Sequence, residues 1–164
     1  MGALMRAHDW STSPLGDPST WPQSLRTTVG LMLNSRYPMF VAWGPQLAFL
    51  YNDGYRPIFV AKHPHTLGLP FAEVWSEIWH DVLPLVERAL AGEPTFNENL
   101  HLVMERNGYP EDTWYTFSYS PVRDESGGIG GMFCACQETT EQILADRRRD
   151  FWLVLEERLR GLQD

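Results

Sequence analysis

Residues 119–142 constrain the fold more than any other part of this chain, because they predict a hairpin of two strands followed at once by a long helix. Within 113–122, the period of two that is typical of a strand with two different faces sets Tyr115, Phe117 and Tyr119 on one face against Trp114, Thr116, Ser118 and Ser120. The sequence DESGG then supplies residues that tolerate positive φ, and a second strand pattern resumes at 129–137. A β-hairpin of an antiparallel sheet is therefore expected here.

A polar hinge, ETTEQ, follows this hairpin and opens a run that contains no Pro or Gly before Gly161. Thr139 or Thr140 is expected to cap a helix with its hydroxyl group, and Glu141 lies in the first turn. A helix that leaves a sheet edge in this way can carry a mechanical signal outward.

The rest of the sequence adds three strands and several helices. The pattern predicts a helix at 22–34, with Ser19 or Thr20 as its cap, and a second helix at 79–91 that Gly92 ends. Strands are predicted at 39–43, 47–51 and 95–104, in addition to 113–122 and 129–137. Two groups of strands separated by helices exclude a βαβ repeat. We therefore predict an α+β fold, a five-stranded antiparallel sheet with helices on one side and flanking helices at both ends.

Length and composition favour one domain with extensions. The 164 residues carry a net charge of −8, which disfavours binding to nucleic acid or to an anionic membrane, and no apolar run is long enough to span a membrane. Cys134 and Cys136 are expected to be reduced, which indicates the cytoplasm. We expect an extension with a cap helix at 1–35, a domain at 36–140 and a signalling helix at 141–164.

Several short passages between 36 and 141 resemble the PAS domain family. They follow one another in the family's order: Leu50, Tyr51 and Asn52 with Tyr55; Gly68 with Phe71 and Trp75; Ala91, Gly92 and Glu93; the hairpin 121–131; and Glu138, Thr139, Thr140 and Glu141. The resemblance implies the PAS fold and a role in signalling.

The C-terminal tail, RRRDFWLVLEERLRGL, is similar to the linker helix that follows the first PAS domain of multidomain bacterial histidine kinases, where a GAF domain often comes next. A GAF or kinase output domain is therefore implied as a partner, and this chain alone is expected not to be an enzyme. Apolar residues at 3-4 spacing indicate a coiled-coil seam and a homodimer, for which we select Trp152, Leu155, Leu159 and Leu162, with Trp21 and Leu25 assisting from the N-terminal helix. The alternative is a helix folded back onto its own domain.

Aromatic and sulfur-containing residues indicate either a packed core or a ligand pocket on the concave side of the sheet. The pocket would take a small apolar or aromatic molecule, and its candidate lining residues are Trp43, Tyr51, Phe71, Trp75, Trp79, Tyr119, Met132, Cys134 and Cys136. A PAS domain without any ligand, acting only in protein interactions, remains an alternative.

Cofactor-binding PAS relatives suggest two further alternatives. The light-oxygen-voltage relatives need a reactive cysteine on a helix, and 55–78 contains no cysteine, which disfavours flavin adduct chemistry but leaves non-covalent flavin open. Haem-binding relatives place a histidine on the long helix, where His80 is the candidate ligand. His63 and His65 lack a third metal ligand, so no metal site is expected. A small enzyme on a similar scaffold would need a buried acid or histidine, for which only His80 and His101 are candidates.

Overall fold

The computed structural model describes residues 1–162 of the chain; the last two residues of the expected signalling helix, 163 and 164, lie outside the described residues. The helices are α1 (Gly2–Ala7), α2 (Gln23–Asn34), α3 (Arg56–Phe59), α4 (Phe71–Val74), α5 (Trp79–Leu90) and α6 (Thr140–Arg160). The strands are β1 (Met39–Trp43), β2 (Ala48–Tyr51), β3 (Thr95–Met104), β4 (Glu111–Arg123) and β5 (Ile129–Glu138).

The five strands form one antiparallel sheet in the order β2-β1-β5-β4-β3. The last strand of the chain is therefore the central one, and it joins the early hairpin to the late strands: Phe40 of β1 and Tyr119 of β4 both lie opposite Cys134 of β5. This arrangement confirms the predicted α+β class and the five strands. It also places the strand that precedes α6 at the centre of the sheet.

The N-terminal segment packs onto the chain's own core. Trp10 and Trp21 are buried and meet edge to face at 4.9 Å between ring centroids. Their indole N–H groups donate to the carbonyls of Met5 and Gly16, at 2.9 and 3.2 Å. The helix α1 was not predicted from the sequence.

Helix α2 buries one face, with Leu25 fully enclosed. Trp21 and Leu25 are thus core residues, and their assignment to a dimer surface is wrong, because both side chains are already covered within one chain. The predicted cap is also wrong: Ser19 and Thr20 lie in a separate 3₁₀ turn, Pro18–Thr20, and Pro22 precedes α2.

One buried amide connects α2 to the sheet. Asn52, completely enclosed after β2, accepts hydrogen bonds from the backbone N–H groups of Met39 and Tyr55, both at 3.1 Å. Its side-chain NH₂ donates to three backbone carbonyls, those of Met32, Ser35 and Tyr37, at 3.0, 3.1 and 2.8 Å. This side chain therefore satisfies backbone groups of α2, the following loop, β1 and the turn before α3 at once.

The start of α6 is fixed to β4 rather than capped by a threonine hydroxyl. The Thr139 N–H donates to the Trp114 carbonyl at 2.7 Å, and the Thr140 hydroxyl accepts from the Trp114 N–H at 3.1 Å. The Thr139 hydroxyl is buried and has no hydrogen-bond partner within residues 1–162. The predicted hydroxyl cap is therefore wrong, because Thr140 uses its hydroxyl to bind the neighbouring strand.

Candidate functional site: a core cavity and the exit of helix α6

A small cavity lies between the sheet and the helices that cover it. Its volume is about 30 Å³. The lining side chains come from β1, β3, β4, β5, α4 and the turns beside α3 and α5: Phe40, Tyr55, Phe71, Trp75, Ile78, Leu102, Met104, Tyr115, Phe117, Tyr119, Cys134 and Cys136. Pockets that hold drug-sized ligands typically measure about 300–1,000 Å³, whereas a water molecule occupies about 30 Å³ of the liquid. In this conformation the site is therefore a packed core with space for water-sized guests.

Five of the nine residues predicted to line a pocket lie at this cavity: Phe71, Trp75, Tyr119, Cys134 and Cys136. The period of two in β4 and β5 brings the last three to one face of the sheet. The same period would have found Tyr115 and Phe117, whereas Phe40, Leu102 and Met104 reach the cavity only through strand register, which no local pattern reveals.

The other four predicted residues lie elsewhere. Trp43 is at the end of β1 and lines a separate surface groove. Tyr51 turns toward the loop after α3, where its hydroxyl lies 2.7 Å from Nδ1 of His63, and burial raises its pKa to about 12. Trp79 packs against Phe71 from outside the cavity wall, and Met132 is enclosed opposite Ala42 of β1. These four are therefore not cavity-lining residues in this conformation.

The cavity carries neutral polar groups. Trp75 donates its indole N–H to the Tyr55 hydroxyl at 3.1 Å, and the Tyr119 side chain lines the same cavity. Burial, followed by the nearby thiols, raises the pKa of both tyrosines well above the ordinary value, and burial does the same to the Cys134 thiol. All three stay protonated near neutral pH, so the cavity suits an uncharged guest, and a thiol in this state is a poor nucleophile.

The residues present do not fit haem or flavin. His80 is exposed at the start of α5 and does not line the cavity, so its assignment as a haem ligand is wrong: the first turn of the helix directs it toward solvent. A cavity of about 30 Å³ also holds no flavin ring system without rearrangement. Within residues 1–162, no three His, Cys, Asp or Glu side chains come together as metal ligands.

A half-buried ion pair connects the cavity wall to the end of β5. Arg106, in the β3–β4 turn, donates to both carboxylate oxygens of Glu138, at 2.6 and 3.1 Å. The Tyr115 hydroxyl lies 3.1 Å from the same carboxylate and 3.2 Å from the guanidinium, and Arg106 also donates to the Ile58 carbonyl at 3.3 Å. Because Tyr115 lines the cavity and Glu138 is the last residue of β5, one hydrogen-bonded cluster reaches from the cavity to α6.

The Arg106 guanidinium faces two carboxylates, that of Glu138 at 2.6 Å and that of Glu111 at 3.7 Å. Burial raises the pKa of the Glu138 carboxyl, but hydrogen bonds from Arg106 and Thr140 and the Arg106 charge outweigh burial and hold it below its usual value. Burial and the Glu138 charge raise the pKa of the Tyr115 hydroxyl. Near neutral pH, Glu138 is therefore ionised and Tyr115 is a neutral donor.

Helix α6 packs against β4 of its own domain near its start. Arg147 lies over the Trp114 ring, 4.8 Å from its centroid, and His101 packs against the same indole at 4.9 Å. Beyond this contact, the side chains of residues 151–154 are about half exposed or more, as are Leu159 and Leu162. Five consecutive apolar residues, FWLVL, surround the helix with apolar surface. The alternative in which α6 folds back onto its own domain is therefore wrong for this part of the helix.

The described helices include none that is both long enough and apolar enough to cross a membrane.

A five-stranded antiparallel sheet, a covered cavity and a helix that follows the central strand together define a small domain of the α+β class. The family described as PAS fold matches residues 33–143. The chain therefore belongs to the PAS family, whose members are general sensory modules.

Solved structures show the same fold at low sequence identity. An RNA-binding light-oxygen-voltage receptor is 15% identical with a TM-score of 0.56, over 87% of this chain and 40% of that one. The phage VqmA–DPO complex is 17% identical with a TM-score of 0.54, over 79% of this chain and 59% of that one. The PAS domain of Bordetella pertussis BvgS is 18% identical with a TM-score of 0.51, over 82% of this chain and 99% of that one. The chain thus spans less than two thirds of the first two proteins. No curated protein sequence matches it.

Proposed function

We propose that this PAS domain detects a small apolar or aromatic molecule and passes the change to α6, which pairs with α6 of a second copy and drives a GAF- or kinase-type output domain. The observation that carries the proposal is the shared cluster of Tyr115, Arg106 and Glu138. Tyr115 lines the cavity, and its hydroxyl lies 3.1 Å from the carboxylate of Glu138, two residues before α6 begins. A guest that displaces Tyr115 changes the hydrogen bonds that hold the exit of α6.

Space for a guest must come from rearrangement of the cavity wall. The wall contains Met104 and several aromatic rings, and these side chains repack without breaking backbone hydrogen bonds. The size of the cavity also favours a second candidate, a PAS domain that responds to protein contacts and binds no small molecule. No acid or histidine lines the described cavity, so we do not propose an enzyme.

The relay is tested with indole, a neutral aromatic probe, in the full chain. We expect indole to raise the melting temperature and to change the distance between spin labels on Glu157→Cys in the two copies of a dimer, because repacking at Tyr115 reorients α6. The variant Tyr115→Phe keeps the ring but removes the link to Glu138, so it should bind indole and lose most of the distance change.

Three results would count against this relay. An unchanged melting temperature supports the ligand-free candidate, and an unchanged label distance with indole bound contradicts coupling. A full distance change in Tyr115→Phe shows that the signal takes another route. The buried thiols of Cys134 and Cys136 do not compete for the label, since neither side chain is exposed.

Pairing through α6 gives a separate prediction with a closely matched control. Leu159 lies on the proposed seam and is 53% exposed, whereas Leu153 lies off it and is 57% exposed. We expect light scattering to show a dimer that Leu159→Glu weakens at least ~tenfold in dissociation constant, because a carboxylate would be buried in the seam. Leu153→Glu should change it little. A monomeric wild-type chain, or equal effects of the two variants, would contradict the predicted seam.

A further inference from the structure

A second recess lies on the surface at the opposite end of the sheet from the start of α6. It is a groove of about 610 Å³ between the start of α2, the β1–β2 turn, the end of α5 and the β4–β5 turn. Its apolar walls are Pro22, Trp43, Pro45, Leu90 and Ile129, and its polar rim is Asp124, Glu125 and Ser126. This volume lies within the range of binding sites, and the groove shares no lining residue with the core cavity.

The floor of the groove is one indole ring held against bare backbone. Trp43 is only 7% exposed, and a Cβ atom at Gly130 would lie 2.6 Å from its ring. Only glycine leaves space for the ring at this position. The hairpin that closes β4 and β5 therefore fixes the orientation of the indole.

The indole N–H of Trp43 makes no hydrogen bond within residues 1–162, and it is not among the buried unpartnered polar atoms there. It is thus a donor left open on a side chain that is otherwise more than nine-tenths buried. This N–H is therefore open to water, and an acceptor from a ligand would replace the water contact with a direct hydrogen bond.

The rim is negatively charged. Hydrogen bonds from Ser126 to Asp124, and from Ser24 to Glu125, hold the pKa values of both carboxyls below the ordinary range, so both are ionised at neutral pH. Glu125 is occupied with the first turn of α2, while Asp124 binds only Ser126 of its own turn. A cationic group placed beside Asp124 would meet charge of opposite sign.

We propose that this groove binds a proline-rich peptide segment that carries one basic residue. A polyproline II segment exposes all its carbonyl groups because it has no internal hydrogen bonds, so it offers an acceptor to the Trp43 N–H while its rings pack on Pro22 and Pro45. The arginine or lysine pairs with Asp124. This interaction is independent of the cavity and of α6.

The test is a titration of the ¹⁵N-labelled full chain with the peptide Ac-PPPPRPPP-NH₂, followed by NMR. We expect shifts of the Trp43 indole N–H and of the Gly44, Leu90 and Gly130 amides. Trp43→Phe, which removes the N–H and keeps a ring, should weaken binding ~fivefold, about the value of one hydrogen bond. If Trp43→Phe does not fold, Pro45→Ser replaces it as the test variant, because Pro45 is exposed, and it should also weaken peptide binding.

Matched controls separate this site from general charge effects. Asp124→Asn should weaken binding of the peptide. Asp146→Asn on α6 removes the same charge and should leave the binding unchanged. The peptide Ac-GSGSRSGS-NH₂ carries the same charge without proline and should not bind. The proposal is overturned by absent groove shifts at millimolar peptide, by equal binding of the two peptides, or by equal effects of the two aspartate variants.

Discussion

Replacing Asn52 with Ala is expected to lower the free energy of unfolding by about 3–5 kcal/mol, one of the two largest effects that a single side chain should have here. Its amide makes five hydrogen bonds to backbone groups of four different segments, and it is fully buried. Each buried group left unpaired costs about 1–3 kcal/mol, and water entering the small space left behind recovers part of the sum.

Urea unfolding followed by tryptophan fluorescence measures this effect. Asn34→Ala is the matched control, because Asn34 is exposed at the end of α2 and makes one hydrogen bond, to the Gly30 carbonyl. The control should lose less than about 1 kcal/mol. A loss of similar size in both variants would show that Asn52 does not hold α2, β1 and the following turn together.

The second large effect concerns Glu138. Glu138→Gln should destabilise the domain by about 2 kcal/mol at pH 7, because the Arg106 side chain is only 10% exposed and keeps just the more distant Glu111 carboxylate, at 3.7 Å, as its counter-charge. We expect less than the 3–5 kcal/mol typical of a fully buried pair, since the Glu138 side chain is 27% exposed. The control is Glu141→Gln, which neutralises an exposed carboxylate three residues further along the chain. It should change the free energy of unfolding little.

The same pair predicts the pH dependence. The folded pKa of Glu138 is depressed, so its stabilisation is fully present above the unfolded value near 4.3 and is lost as pH falls through the folded value. The difference between wild type and Glu138→Gln should therefore be largest at neutral pH and shrink below about pH 4. A difference that does not change with pH would mean that the substituted amide fails for steric reasons.

The alternation of side chains along the strands and the residue types in the turns were enough to predict most of the sheet. The alternation in β4, the DESGG turn and the glycine after α5 are local signals, and the structure places a strand, a turn and a helix end at those positions. The fold class followed from the order of these elements.

The candidate site was less predictable, because its members meet through register and tertiary packing. Arg106 and Glu138 are 32 residues apart and become neighbours only when β5 inserts between β1 and β4. Trp43 and Met132 are residue types that often line pockets, but Trp43 lines the surface groove instead, and Met132 is enclosed beside Ala42, farther along the same face of the sheet. His80 could have been excluded as a haem ligand if the face of α5 on which it lies had been known. An error of one residue in the position of a helix rotates a side chain by about 100° around the helix axis.

Helix α6 continues for 21 residues without proline or glycine, which gives it a length of about 31 Å. In the proposed relay, such a rod would act as a lever arm that pivots at the contact of Thr139 and Thr140 with Trp114. A tilt of about 10° at the pivot displaces the far end by about 5 Å, close to the pitch of one helical turn. In the proposed dimer, a small shift at Glu138 that is magnified along α6 would therefore change which side chains of the two helices meet.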